Sequence, residues 1–303
     1  MSADRPHFII IGAMKCATST LHEQLARQPG VFMSTPKEPN FFSDDEQWAR
    51  GIAWYRNLFA GAKPDDICGE SSTHYTKLPT YPRTIDRMRE CLPADVKFIY
   101  VMRHPIDRLV SHYIHEWTQR VVPADGTIDA ALDTHPELIA YSRYAMQLRP
   151  FFDAFSRERV LPVFFERLTA QPQQTLERVC RFIGYDRGPV QWFDEASEQN
   201  VSSERMRQSP MRDAILSLPG VKTLRRTLIP RVWRDRVKRL WMMKQRPALS
   251  EASVARLRKV FDEDLATLGA WLGHDSLRCD NFKQFAQAAA TPMWTTPVRT
   301  FAA

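Results

Sequence analysis

Lys15, Arg103 and Glu38 stand where side chains of their type can do chemistry. Lys15 lies in Phe8-Ile9-Ile10-Ile11-Gly12-Ala13-Met14-Lys15-Cys16-Ala17-Thr18-Ser19-Thr20, an apolar run closed by a glycine and followed by a lysine and three hydroxyl residues. Leu21-His22-Glu23-Gln24-Leu25 then continues as a helix. A strand, a tight turn and a helix start form an anion cradle, because backbone N–H groups at the helix N-terminus face the anion and a lysine neutralises it. On this reading Lys15, Cys16, Ala17, Thr18, Ser19 and Thr20 hold one anionic group. A second anion site is suggested by Val101-Met102-Arg103-His104-Pro105, with Ser111 further along. Arg103 leaves a strand, and Ser111 falls about two turns into the next helix. A bidentate arginine and a hydroxyl together suit a terminal phosphate.

The first loop resembles a P-loop but departs from the nucleotide-hydrolase form, G-x-x-x-x-G-K-[ST]. Gly12 starts the turn, no second glycine follows, and Lys15 precedes Thr18 by three residues. A kinase would want an acidic strand end to organise magnesium, whereas the second strand ends in arginine. The pattern therefore suits a ligand with two separate anionic ends and no obligatory metal. The five cysteines (16, 68, 91, 180 and 279) are scattered and form no CxxC pair. Neither a zinc site nor a disulfide framework is supported, and reduced thiols are expected.

The elements that must position these residues alternate. Short apolar runs at 7–11, 31–33, 67–70, 96–102 and 160–165 read as strands, the last an edge or bulged strand because it contains Pro162. Helices are expected over 19–27, 48–59, 81–91, 105–117, 138–155 and 172–183, with Gly184 as a stop. This order implies an α/β fold: three layers, a mostly parallel central sheet, and helices on both faces. Ligands in such sheets bind beyond the carboxyl ends of the strands, and both Lys15 and Arg103 lie there.

At 303 residues, 44% hydrophobic and 25% charged, the chain reads as a single soluble domain, 1–303, with its core in 7–184. Its net charge of +7 suits an anionic ligand. Residues 205–246 are rich in arginine and lysine with apolar residues between, including Trp233 and Trp241. They read as a basic helical substrate or lid region (about 200–246) whose charged face is solvated, with peripheral membrane contact as the sharper alternative. A serine-capped helix is expected over 250–272, and a loose tail over 286–303. The N-terminus has no signal-like segment, and no apolar run approaches the roughly 20 residues of a membrane span. A cytoplasmic location is expected.

Together these features resemble the sulfotransferases that use 3′-phosphoadenosine 5′-phosphosulfate (PAPS). In that resemblance Gly12–Thr20 is the 5′-phosphosulfate loop, and Arg103-His104-Pro105 with Ser111 is the 3′-phosphate motif. Phe165-Glu166-Arg167-Leu168 and Val179-Cys180-Arg181-Phe182-Ile183-Gly184 are similar to the family's downstream segments. Lys37-Glu38-Pro39-Asn40-Phe41-Phe42 resembles a segment of the carbohydrate and heparan sulfate sulfotransferases, in which the glutamate is the general base. The resemblance implies PAPS as donor, 3′-phosphoadenosine 5′-phosphate (PAP) as product, and no metal. It makes Glu38 the base and Lys15 the group that stabilises the departing oxygen. Asn40, Ser43 and Ser71 stand where those carbohydrate enzymes often carry histidine, aspartate and lysine.

His74 is the rival base, as in the cytosolic small-molecule branch. His104 reads as a packing or backbone-bonded residue, Cys16 as no nucleophile, and Tyr144 as either buried or lining the acceptor cleft. Trp192 reads as core or lid, and Asn200–Arg205 as a covering loop with Arg205 or Arg207 near the 3′-phosphate. The acceptor is a hydroxyl or amine of a sugar, lipid headgroup or secondary metabolite, and no nucleic-acid motif is present. The alternatives are a P-loop nucleotide or small-molecule kinase, and a non-enzymatic basic module binding nucleic acid or anionic membrane.

Overall fold

The computed structural model describes residues 5–123, 125–194, 246–288 and 292–295. Five strands form the sheet: β1 (Phe8–Gly12), β2 (Val31–Met33), β3 (Ile67–Ser71), β4 (Lys97–Met102) and β5 (Val160–Phe164). Their order is β2-β3-β1-β4-β5, and every pairing is parallel. All five residues of β1, β3 and β5 are buried, as expected when helices cover both faces of a parallel sheet. Pro162 sits on β5, which pairs only with β4, so its missing N–H faces the outer edge.

Two glycines are set by close approach. Gly69 lies directly opposite Phe8, and a Cβ there would stand 2.2 Å from the Phe8 ring. Gly12 has φ +148, and its Cβ would meet Thr76 Oγ1 at 2.1 Å. The register between β1 and β4 slips at Ile10–Gly12, turning the chain out of the sheet into the lysine loop.

The helices up to β5 are α1 (Thr18–Ala26), α2 (Asp45–Trp48), α3 (Gly51–Asn57), α4 (Thr84–Cys91), α5 (Pro105–Thr118), α6 (Ile128–Thr134), α7 (Glu137–Ala140) and α8 (Tyr144–Phe155). After β5 come α9 (Phe165–Ala170), α10 (Pro172–Ile183), α11 (Glu251–Trp271) and α12 (Phe282–Gln287). Right-handed crossovers place α1, which leads from β1 toward β2, on one face. The connections from β3 to β4 and from β4 to β5 run the other way and place α4 to α8 on the opposite face. α10 packs on α1 and β5, and α11 packs on α8. Neighbouring β1 and β4 thus send their chains off in opposite directions, and the crevice between their carboxyl ends is the switch point where such sheets bind ligands.

The expected helix over 138–155 is two helices. Fully buried Arg108 donates to the Leu138 carbonyl at 2.9 Å and to Ser142 Oγ, which holds the chain out of helical register between α7 and α8. The span 48–59 is likewise divided, with Gly51 at φ 80 opening α3. α6, α9 and α12 were not legible as separate helices. In the described part of the tail, the Trp294 indole donates to the Val160 carbonyl at 2.6 Å and packs edge-on against Phe152. The basic region up to residue 245, with Arg205, Arg207, Trp233 and Trp241, lies outside the described residues.

Candidate active site

A cavity of about 880 Å3 opens at the carboxyl ends of β1, β3 and β4. Lys15, Ala17, Thr18, Ser19, Thr20, Glu38, His74, Arg103 and Ser111 all line it. Residues separated by nearly a hundred positions therefore share one wall, because parallel strands deliver successive loops to the same edge. Cys16 is the exception. Its thiol turns into the core and donates to the Met14 carbonyl at 3.8 Å. Burial pushes that thiol up to about 12, so only its backbone is placed to serve the loop.

The backbone around the cavity is unusual. Among the described residues, Lys15 (φ 70), Ala17 (φ 63), Glu38 (φ 57) and Asn40 (φ 51) are four of the six non-glycine residues with positive φ. Each such conformation costs of order 1–3 kcal/mol and persists where the surroundings hold it. Ala17 precedes α1 in the left-handed region with no side-chain cap, leaving the first-turn N–H groups of Thr18, Ser19 and Thr20 directed at the cavity end of the helix.

Arg103 is held at both ends. The Tyr144 hydroxyl donates to the Arg103 carbonyl at 2.5 Å and accepts from its N–H at 3.2 Å. The guanidinium lies 4.4 Å over the Phe165 ring and reaches the Lys15 carbonyl at 3.4 Å. Its buried Nε has no hydrogen-bond partner among the described residues. Tyr144 is fully buried and acts by positioning Arg103. His104 is backbone-bonded, with Nδ1 accepting from Asp107 N–H and Nε2 donating to the Cys279 carbonyl at 3.1 Å. Among the described residues, buried Arg108 has no carboxylate within bonding distance, and one of its nitrogens has no partner.

Glu38 rides on a loop fastened to the end of β3. Its N–H donates to the Ser71 carbonyl at 2.9 Å, and Asn40 N–H donates to Ser72 Oγ at 3.1 Å. Phe41 and Phe42 anchor that loop in an aromatic cluster with Trp48, Tyr55 and Tyr75, and buried Arg87 donates to the Phe42 and Ser43 carbonyls. The Glu38 carboxylate accepts from Lys37 Nζ at 2.8 Å and from Thr73 Oγ1 at 3.0 Å. Burial opposes its charge, but Lys37, Thr73 and Lys77 outweigh burial and hold it below the usual glutamate range. Glu38 is therefore an ionised acceptor at neutral pH.

His74 faces the same cavity, with Nδ1 3.1 Å from Asp44 and its ring stacked on Tyr81. Burial and the charge of Lys77 pull it below the ordinary imidazole range, against the opposing effect of Asp44. Thr73, Lys77, His115, Phe165, Thr169, Trp192 and Asp194 also line the cavity. Of these, sequence reasoning had weighed only Trp192 for such a place. Ser71 is buried and paired with His22 at 2.8 Å, an interaction the spacing in α1 does not reveal.

The model of the family described as sulfotransferase domain matches residues 5–269. The chain belongs to the sulfotransferase family. It is 32% identical over 193 residues to heparan sulfate glucosamine 3-O-sulfotransferase 3B1 of Mus musculus, covering 61% of this chain and 48% of that protein. It is 30% identical over 190 residues to heparan sulfate glucosamine 3-O-sulfotransferase 6 of Homo sapiens, covering 60% and 53%. The chain thus spans about half the length of the curated relatives it matches. A solved sulfotransferase from Alicyclobacillus acidocaldarius shares the fold, with a TM-score of 0.62 and 24% identity over 89% of this chain and 97% of that one. The α/β sulfotransferase fold is established by these comparisons together with the all-parallel sheet. They favour neither a kinase nor a non-enzymatic basic module.

Proposed function

We propose that the chain moves a sulfuryl group from PAPS to a hydroxyl or amine of an acceptor by in-line displacement. The observation that carries this reading is that both anion sites, the Lys15 loop and the Arg103–Ser111 pair, open into one cavity with an ionised carboxylate, Glu38. The residues present fit a donor with two anionic ends: a lysine with a helix N-terminus for one, and an arginine with an unpartnered buried Nε for the other. Bound there, PAPS supplies an activated sulfuryl group. Lys15 and the N–H groups of Thr18, Ser19 and Thr20 face the oxygen on which charge builds as the bridging bond breaks. Arg103 and Ser111 hold the 3′-phosphate end. Glu38 takes the proton from the acceptor as the new bond to sulfur forms.

The relatives named above act on a glucosamine of heparan sulfate, which makes a sugar hydroxyl the leading acceptor class for this chain. Isothermal titration with PAP tests the donor assignment. We expect saturable binding that weakens at least about tenfold in Arg103→Ala, the loss of one charge-assisted contact. No binding by the wild type, or equal binding by the variant, would overturn it.

A further inference from the structure

Lys77 follows the turn Thr73–Thr76 and lines the cavity beside Glu38 and His74. Its backbone is rigidly mounted. Its N–H donates to the His74 carbonyl at 3.2 Å, its own carbonyl accepts from Tyr81 N–H at 3.3 Å, and the next residue, Leu78, is clamped by the Gln147 amide at 2.8 and 2.9 Å. The ammonium, in contrast, makes no hydrogen bond and no ion pair among the described residues. The contact it has is the Tyr141 ring, 5.8 Å from Nζ.

The acids whose fields reach Lys77 are Glu38, Glu116 and Asp44. Each is held by another group: Glu38 by Lys37 and Thr73, Glu116 by His112, and Asp44 by His74. The nearby cation is Arg108. A half-buried ammonium with three donors to satisfy, set in a cavity wall with every neighbouring carboxylate engaged, is complemented by an anion that arrives with the ligand. The donor's two anionic ends already have Lys15 and Arg103, at the ends of β1 and β4. Lys77 belongs to the Glu38 side, where the acceptor must lie.

We propose that Lys77 is a specificity-determining residue that binds a carboxylate or sulfate carried by the acceptor near the hydroxyl that receives the sulfuryl group. This rests on the sulfotransfer reading above, and the test separates the two. Burial pulls the Lys77 ammonium down to about 8, and an anionic partner would restore its charge.

The test uses the full chain saturated with PAP, titrated with p-nitrophenyl β-D-glucuronide and with p-nitrophenyl β-D-glucoside, which differ in the carboxylate. Wild type should bind the glucuronide about tenfold more tightly, the scale of one charge-assisted hydrogen bond. Lys77→Ala should lose that preference, Lys77→Arg should keep most of it, and PAP affinity should match wild type in both. Absence of a preference in wild type, or an undiminished preference in Lys77→Ala, would overturn the proposal. So would a loss of PAPS affinity without loss of PAP affinity in Lys77→Ala, which would move Lys77 to the transferred group. Failure of PAP itself to bind would instead sink the donor reading.

Discussion

Glu38 is held by two donors and aimed into the cavity, and its low affinity for protons sets both its use and its limit. General-base catalysis by a positioned side chain is worth about 100- to 10,000-fold. Glu38→Gln should lower sulfate transfer within that range while PAP affinity stays nearly unchanged, measured by labelled-sulfate transfer and titration. Unchanged turnover would assign the base to His74, which Asp44 orients in the same cavity. The pH profile tests the Glu38 assignment separately. Lys37, Thr73 and Lys77 hold Glu38 below the ordinary glutamate value of 4.5, so the midpoint of the acid limb of kcat/KM should lie below that pH. A histidine base would place the acid limb at the lowered His74 value, below 6.5. The same shift has a stability consequence. A carboxyl with a depressed folded value contributes stability that is present above 4.5 and is lost as pH falls through the folded value.

At the scale of elements, the site depends on contacts far from the cavity. Helix α8 begins with Tyr144, whose hydroxyl holds the Arg103 peptide. The first N–H groups of α8 are satisfied from another helix: the buried Asp264 carboxylate of α11 accepts from Ala145 and Met146 at 2.9 and 3.0 Å. Asp264→Ala leaves two buried donors unpaired and should cost about 1–2 kcal/mol, the upper range for loss of a helix cap, read by chemical denaturation. Because the displaced residue is Tyr144, PAP affinity should fall as well. A variant destabilised by that amount with wild-type PAP affinity would show that α8 does not position Arg103. The breaks in the helices have a comparable origin. Arg108 competes for Leu138 and Ser142, and no pattern of apolar residues along 138–155 announces a buried arginine from α5.

For the whole molecule, the charge balance favours an anionic ligand. Net charge is +7, and Lys15 and Arg103 both line the cavity. PAP affinity should weaken several-fold as ionic strength rises from about 0.05 M to about 0.5 M, over which the Debye length shrinks severalfold. A salt-independent dissociation constant would argue against electrostatic capture. Much of this protein was legible in the chain itself. Gly12–Thr20 and Arg103-His104-Pro105 are short segments whose strand-turn-helix geometry follows from local apolar runs, a glycine and a proline, so the parallel α/β class and the placing of these segments beyond strand ends could be read without coordinates. Pro162 likewise announced an edge strand, because a residue without an N–H cannot bridge two neighbours. Tertiary structure decided what local spacing cannot encode. It set β1 beside β4, turned the Cys16 thiol into the core, tied Glu38 to Thr73, pinned Trp294 to β5, and left the Lys77 ammonium without a hydrogen-bond or ion-pair partner among the described residues. Those outcomes depend on which surfaces meet across the sheet and on where buried polar groups find their complements, and both are properties of the packed molecule.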